Sequence, residues 1–244
     1  MDKELRTGFF IMLDGIDGSG KGTIIETWKN FLLSQNKTIF DLKKYWQENN
    51  KYPEIDEIKN YDFIFSCEPT YTGIGKVIRE ELIKNGTSYP EITVTQAFSL
   101  DRIVYYKKIV LPLLKLNKNI IQDRGIATSL AYHPIHDPLS TIQSVASLPG
   151  NRPAMDNLPN HLILMDLKVA EAQTRLGGRT DKKDNAVFEK NELQEKINEN
   201  YHSEEFKNIF EKQNTLIHWL NGSQKIDIMK QEGVSLLNNI LNIT

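Results

Sequence analysis

Residues 13–23 read LDGIDGSGKGT, and within them Gly15, Gly20 and Lys21 satisfy the spacing G-x-x-x-x-G-K. Glycines let such a backbone curl until successive N–H groups point inward at a phosphate. The start of a following helix adds partial positive charge, and the lysine reaches the outer phosphates. The candidate phosphate cradle is therefore Gly15, Asp17, Gly18, Ser19, Gly20, Lys21, Gly22 and Thr23. Loops of this kind usually follow the lysine with a hydroxyl that ligates magnesium. Here that place holds Gly22 and the first hydroxyl is Thr23, so the chain ligates a metal less directly.

Arginine is scarce. Only seven of the 30 Lys and Arg residues are arginine, at 6, 79, 102, 124, 152, 175 and 179. A chain that uses lysine by default keeps arginine where a rigid bidentate fork is needed, and five of the seven lie in the stretches IREEL, SLDR, QDRG and RLGGR. Phosphoryl transfer needs such forks, because charge spreads over the transferring group and catalysis is mainly positioning plus electrostatic stabilisation. Arg124 follows Asp123 at the end of an expected strand, where open α/β sheets place their ligands. Arg175 and Arg179 lead into a polar loop, GGRTDKKDNA, that can close over a donor; a solvated helix end is the plainer alternative for that pair. GTPases also use such a loop, but their base-reading Asn-Lys-x-Asp is missing, since 117–120 reads NKNI.

The elements that must position these residues alternate. Short apolar runs at 8–14, 37–42, 62–68, 119–123, 161–167 and 215–220 read as strands. Helical periodicity covers 21–34, 73–84, 91–116 with a kink expected at Pro112, a start near Ile126, 168–176, 187–212 and 227–242. Residues 134–160 hold five of the nine prolines and read as a loop-rich connection with one short helix. The stretch 43–61, polar and aromatic without a clear period, reads as an excursion from the main fold. Strands separated by helices predict a mostly parallel sheet covered on both faces.

At 244 residues the chain can bury one sizeable core, and 39% hydrophobic and 25% charged residues are ordinary for a soluble protein. A net charge of −2 gives no global reason to expect nucleic acid or an anionic membrane. The single Cys67 excludes an internal disulfide and fits a reducing compartment. The N-terminus does not read as a signal peptide, and no apolar run approaches the roughly 20 residues that span a bilayer. The expected location is cytoplasmic; the sequons at 85 and 221 are read as chance matches.

The Lys-Gly-Thr ending of the loop resembles the adenylate kinase family, and a longer set of stretches, in order, resembles the thymidylate kinase family. These are DGIDGSGKGT, CEPTYTGIGKVIREEL, QAFSLDR, QDRGIATSLAYH, PNHLILMDLKVAEAQTRLGGRTDKKDNAVFEK and NGSQ. The resemblance runs from Phe9 to about Ile240. It implies a single domain over 1–244 with the three-layer P-loop kinase fold, an insertion at about 43–61 and a lid at about 175–187. It further implies ATP as donor, Mg2+, dTMP as acceptor, dTDP as product and a homodimer. By the same resemblance Phe98 stacks on the base and Arg102 donates to its O4, a contact that disfavours cytosine. Asp17 serves the acceptor sugar or phosphate, while Glu68, Arg79 and Arg124 arrange the acceptor phosphate. Ser129 lies near the base, Tyr132 packs at the sugar 2′ position, and Asp123 is the carboxylate near magnesium. Lys21 with the lid residues Arg175 and Arg179 stabilises charge during transfer.

Four positions depart from the family pattern: Gly22, Cys67 where many members have Arg, Gly125 where an aromatic often follows Asp-Arg, and His133 where Gln is common. Cys67 and Gly125 are expected to loosen the acceptor pocket, whereas His133 can still bond a base edge. His133, His136 and Asp137 also admit a metal-cluster reading, with a surface loop preferred. From periodicity alone, Phe98 is a core aromatic. The rival functions are a kinase for deoxynucleosides or another deoxynucleoside monophosphate, and a non-catalytic nucleotide-binding regulator.

Overall fold

The computed structural model describes residues 8–84, 86–137, 139–177 and 191–242. In chain order the elements begin β1 (Phe10–Asp14), α1 (Lys21–Ser34), β2 (Ile39–Asp41), α2 (Leu42–Asn49), α3 (Ile55–Ile58), β3 (Phe63–Cys67) and α4 (Gly73–Val77). A π-helical turn, Ile78–Leu82, extends α4. Next come α5 (Glu91–Tyr105), a second π turn (Tyr106–Val110), α6 (Leu111–Lys115), β4 (Asn119–Asp123), α7 (Ile126–His136), α8 (Ile142–Ala146) and α9 (Arg152–Met155). The chain closes with β5 (His161–Asp166), α10 (Val169–Gly177), α11 (Asn191–His202), α12 (Glu204–Glu211), β6 (Leu216–Asn221) and α13 (Ile226–Leu241).

All six strands are parallel, in the order β2-β3-β4-β1-β5-β6. Their apolar residues alternate between two cores, as the period of two requires. On β1, Phe10 and Met12 face the core shared with α5, α7 and α11, while Ile11 and Leu13 face the core shared with α1 and α13. The helices after β1 and β4 thus cover opposite faces although the strands are neighbours. Their carboxyl ends meet at the reversal of strand order, the place where open α/β sheets bind ligands.

Three local readings need correction. The 43–61 stretch is not an excursion from the main fold: it holds all but the first residue of α2 and the whole of α3, and buries Trp46 and Ile58 in the main core beside Leu42. Its ring-rich composition is spent on packing, with Trp46 edge-on to both Tyr52 and Tyr105. Residues 134–160 hold two short helices rather than one; Thr141 and Ser144 form a reciprocal capping box that starts α8. The expected helix over 187–212 is divided at Ser203, whose Oγ accepts from the Phe206 N–H and starts α12 afresh. The kink expected at Pro112 takes the form of the π turn just before it. There the Leu111 N–H reaches back to the Tyr106 carbonyl, widening the helix ahead of a residue that has no N–H to give.

Candidate active site

The loop after β1 folds as its glycines require. Gly15 (φ 134°) and Gly20 (φ 102°) adopt backbone conformations that L side chains rarely take, and α1 begins directly at Lys21. Lys21 turns back into the loop, its Nζ donating to the carbonyls of Gly15 (2.9 Å) and Ile16 (2.7 Å). Burial draws its ammonium pKa down to about 8, with repulsion from Arg124 adding to the shift.

Gly22 is exposed in the first helical turn, and a Cβ placed there meets nothing within 4 Å. Gly22→Ala is therefore expected to raise unfolding free energy by about 0.4–1 kcal/mol by restricting the unfolded chain. Urea denaturation reads this directly, and a loss of stability would mean that this turn needs glycine for another reason.

Arg124 crosses from the end of β4 to the loop. It occupies the left-handed region (φ 64°), and its N–H is held by the Leu13 carbonyl at 2.8 Å. Its guanidinium pairs with Asp17, reaches the Gly15 carbonyl at 3.4 Å and Thr128 Oγ1 at 3.3 Å, and lies 5.7 Å from the Tyr132 ring centroid. Asp14 sits beneath, fully buried. It accepts from the Gly15 N–H, Thr128 Oγ1 and Tyr201 Oη at 2.7–2.8 Å, with Arg124 Nη1 at 3.7 Å. Burial pushes its carboxyl pKa up, and Arg124 and Thr128 pull it back. Asp123 ends β4 with Oδ1 buried and without a hydrogen-bond partner among the described residues. That is one oxygen acceptor of the kind a hard cation takes.

A second group lies between β3, α5 and α7. Arg102, 1% exposed, donates from Nε to Glu68 (2.7 Å), from Nη1 to Asn151 (2.5 Å) and from Nη2 to Ser129 (2.8 Å). Gln122 Nε2 completes the Glu68 carboxylate at 3.0 Å. Phe98 belongs to a small cluster with Ile78 and Val94 and meets His133 edge-on at 5.1 Å. Burial draws the His133 pKa down to about 3, so this ring is neutral at physiological pH.

Arg79 is held by the backbone just after Glu68. It donates to the Pro69 and Thr70 carbonyls and lies 3.9 Å from the Tyr71 ring centroid. Arg175 donates to the Gly222 carbonyl at 2.7 Å, beside the loop, since a Cβ on Gly222 would come within 2.9 Å of the Ser19 carbonyl. Arg179 and the rest of the expected lid from 178 onward lie outside the described residues.

Gly125 does not loosen the pocket by leaving space: a Cβ there would fall 2.5 Å from Met12 Cε and 2.6 Å from Gln122 Nε2. The surface loop preferred for His133, His136 and Asp137 is not found: His133 is buried and His136 half-buried in the last turns of α7, and among the described residues no group of three or more His, Cys, Asp or Glu is placed to hold a metal. No described helix is long and apolar enough to cross a membrane.

Sequence reasoning singled out neither Asp14 and Tyr201 nor Asn151 and Gln122. The one visible signal was an aspartate closing an otherwise apolar strand.

The family model described as Thymidylate kinase matches residues 55–232, a stretch that leaves the phosphate loop to stand on its own geometry. The chain is 33% identical over 201 residues to a probable thymidylate kinase of Pyrococcus horikoshii, covering 80% of this chain and 81% of that protein. It is 32% identical over 203 residues to one of Thermococcus onnurineus, covering 79% and 82%. Against the thymidylate kinase of Mycoplasma genitalium the identity is 26% over 176 residues, covering 72% and 71%.

Proposed function

The chain belongs to the thymidylate kinase family, and on that premise we propose the reaction and its residues as follows. The enzyme transfers the γ-phosphoryl group of ATP to dTMP. The bond from the γ-phosphorus to its bridging oxygen breaks, a bond to an acceptor phosphate oxygen forms, and ADP and dTDP leave. The observation that carries this reading is the meeting of Lys21 and Arg124 on the Gly15 carbonyl, at the carboxyl ends of the neighbouring strands β1 and β4 and over one glycine-rich loop.

The loop N–H groups with Lys21 hold the donor phosphates. To do so Lys21 releases the Gly15 and Ile16 carbonyls it now holds. Arg124, steadied by Asp17 and Thr128, lies between the loop and the acceptor side and spans both phosphates, with Tyr132 packed beneath it. Arg175 and Arg179 belong to a lid over about 175–187 that excludes water as it closes. Asp123 would hold magnesium, with Thr23 or a water reaching it from the loop, and the bound ion would neutralise charge on the donor phosphates. Phe98, Arg102, Ser129 and His133 form the base pocket, and Glu68 acts by fixing Arg102. Arg79 marks a phosphorylated acceptor, since a nucleoside brings no phosphate for it to meet. The whole chain forms one domain with an insertion at about 43–61; it works as a homodimer in the cytoplasm on small nucleotides.

Steady-state phosphorylation with ATP and magnesium across dTMP, dUMP, dCMP, UMP and thymidine tests this. We expect dTMP to exceed dCMP by at least about tenfold in kcat/KM and thymidine to give no product. Preference for thymidine would overturn the acceptor assignment.

A further inference from the structure

A groove of about 290 Å³ opens between α2 and the α4 helix with its π turn. Trp46, Gln47 and Asn50 line one side; Tyr71, Lys76 and Arg79 line the other, with Glu80 the one carboxylate on its wall. Two cations share the Tyr71 ring: Arg79 Cζ lies 3.9 Å from its centroid and Lys43 Nζ 5.2 Å from it. Among the described residues neither cation pairs with a carboxylate. The indole N–H of Trp46, 1% exposed, finds no acceptor among those residues either.

Helix stability does not explain Lys43. It sits in the first turn of α2, which carries no acidic residue, and cations at the positive end of a helix are disfavoured. The turn is nevertheless firmly placed. Asp41 accepts from the Lys44 N–H at 3.2 Å and pairs with Lys29 of α1 at 2.7 Å, fastening the start of α2 to α1. α2 starts directly at the carboxyl end of β2, and Arg79 donates to the Pro69 carbonyl just past the carboxyl end of β3, where Cys67 stands level with Asp123 of β4. Both cations therefore belong to the same end of the sheet as Asp123 and Arg124.

We propose that Lys43 is a positioning residue for the acceptor phosphate, delivered by α2 to work beside Arg79 over Tyr71. The inference rests on the reaction proposed above. A phosphate monoester carries about −1.5 to −2 charges at pH 7, more than one guanidinium balances. Arginine supplies the bidentate fork and lysine a point charge. The segment 42–58 thereby contributes a cation to the site as well as side chains to the core.

The proposal is tested by steady-state kinetics of Lys43→Met, Lys43→Arg and Lys44→Met, with dTMP and ATP varied separately and thermal unfolding as a check on folding. Lys43→Met should raise the KM for dTMP about ten- to a hundredfold and leave the KM for ATP within about twofold. Lys43→Arg should recover most of the loss. Lys44, exposed and facing Glu48 at 3.9 Å, should be silent. If Lys43→Met fails to fold, Lys43→Gln replaces it. Unchanged dTMP affinity in the folded variant overturns the proposal, as does an equal rise in both KM values, which would mark α2 as structural support. A wild-type chain that turns over no nucleoside monophosphate refutes the reaction itself and this role with it. Wild-type turnover of dTMP with Lys43→Met indifferent refutes the role of Lys43 alone.

Discussion

Lys21→Met is expected to leave the chain folded and to lower kcat by about 10²–10³-fold, the size of loss that follows removal of one preorganised donor to a transferring group. Folding should survive because the lysine spends its three donors on its own loop, on the Gly15 and Ile16 carbonyls and Ser19 Oγ. Methionine matches the stem that is already buried. The free-loop pKa of about 8, set first by burial and next by Arg124, gives an independent readout. Phosphates arriving at Nζ favour the ammonium and raise that pKa. At pH 8 nucleotide binding should therefore take up about half a proton per site. Calorimetry in buffers of different ionisation enthalpy measures the uptake, and Lys21→Met should abolish it. Stability follows the same linkage. The folded pKa lies below the unfolded one, so the unfolded chain binds more protons between about pH 8 and 10.5, and this group makes the fold more stable as pH rises through that window. A Lys21→Met enzyme with wild-type kcat would remove the lysine from the reaction.

The parts legible in sequence were those governed by local spacing. A phosphate loop is a contiguous run of glycines and one lysine, and a buried strand is a short apolar run, so the loop and all six strands stand close to where periodicity places them. What stayed hidden depends on contacts far apart in the chain. Asp14 is fixed by Thr128 and Tyr201, 114 and 187 residues away, and an aspartate closing an apolar strand marks the position locally without showing the partners that make it the centre of a network. Arg102 was legible as a motif arginine, but not the closure of its guanidinium by Glu68, Asn151 and Ser129. Helix breaks failed for the opposite reason. Ser203 is an ordinary polar residue inside a periodic pattern, and only its capping bond to Phe206 reveals the new start. The 43–61 stretch lacked a period because its helices are too short to show one, while its aromatic content was core material throughout.

The Arg102–Glu68 pair carries the largest expected effect on stability. Both partners are buried, at 1% and 3% exposure. Removing one half of a buried pair leaves an uncompensated charge, so Arg102→Met should cost roughly 3–5 kcal/mol. The double substitution Arg102→Met with Glu68→Met should recover a substantial part of that, because the strain lies in the orphaned carboxylate rather than in the lost attraction. The pH dependence identifies the carboxylate. Burial already pushes the Glu68 pKa up against the pull of Arg102, and without Arg102 nothing comparable opposes burial. In Arg102→Met the folded state then binds more protons than the unfolded one above about pH 4.3, so stability is retained in acid and lost as pH rises through the folded pKa. Urea unfolding between pH 5 and 8 should show the stability of Arg102→Met falling relative to that of the double variant across that range, the difference cancelling the histidines common to both. A loss below about 1 kcal/mol, or identical profiles for the two variants, would show that the pair adds nothing to the fold. Arg102 would then be held in place for the base alone, and its entire effect would be expected in the KM for dTMP.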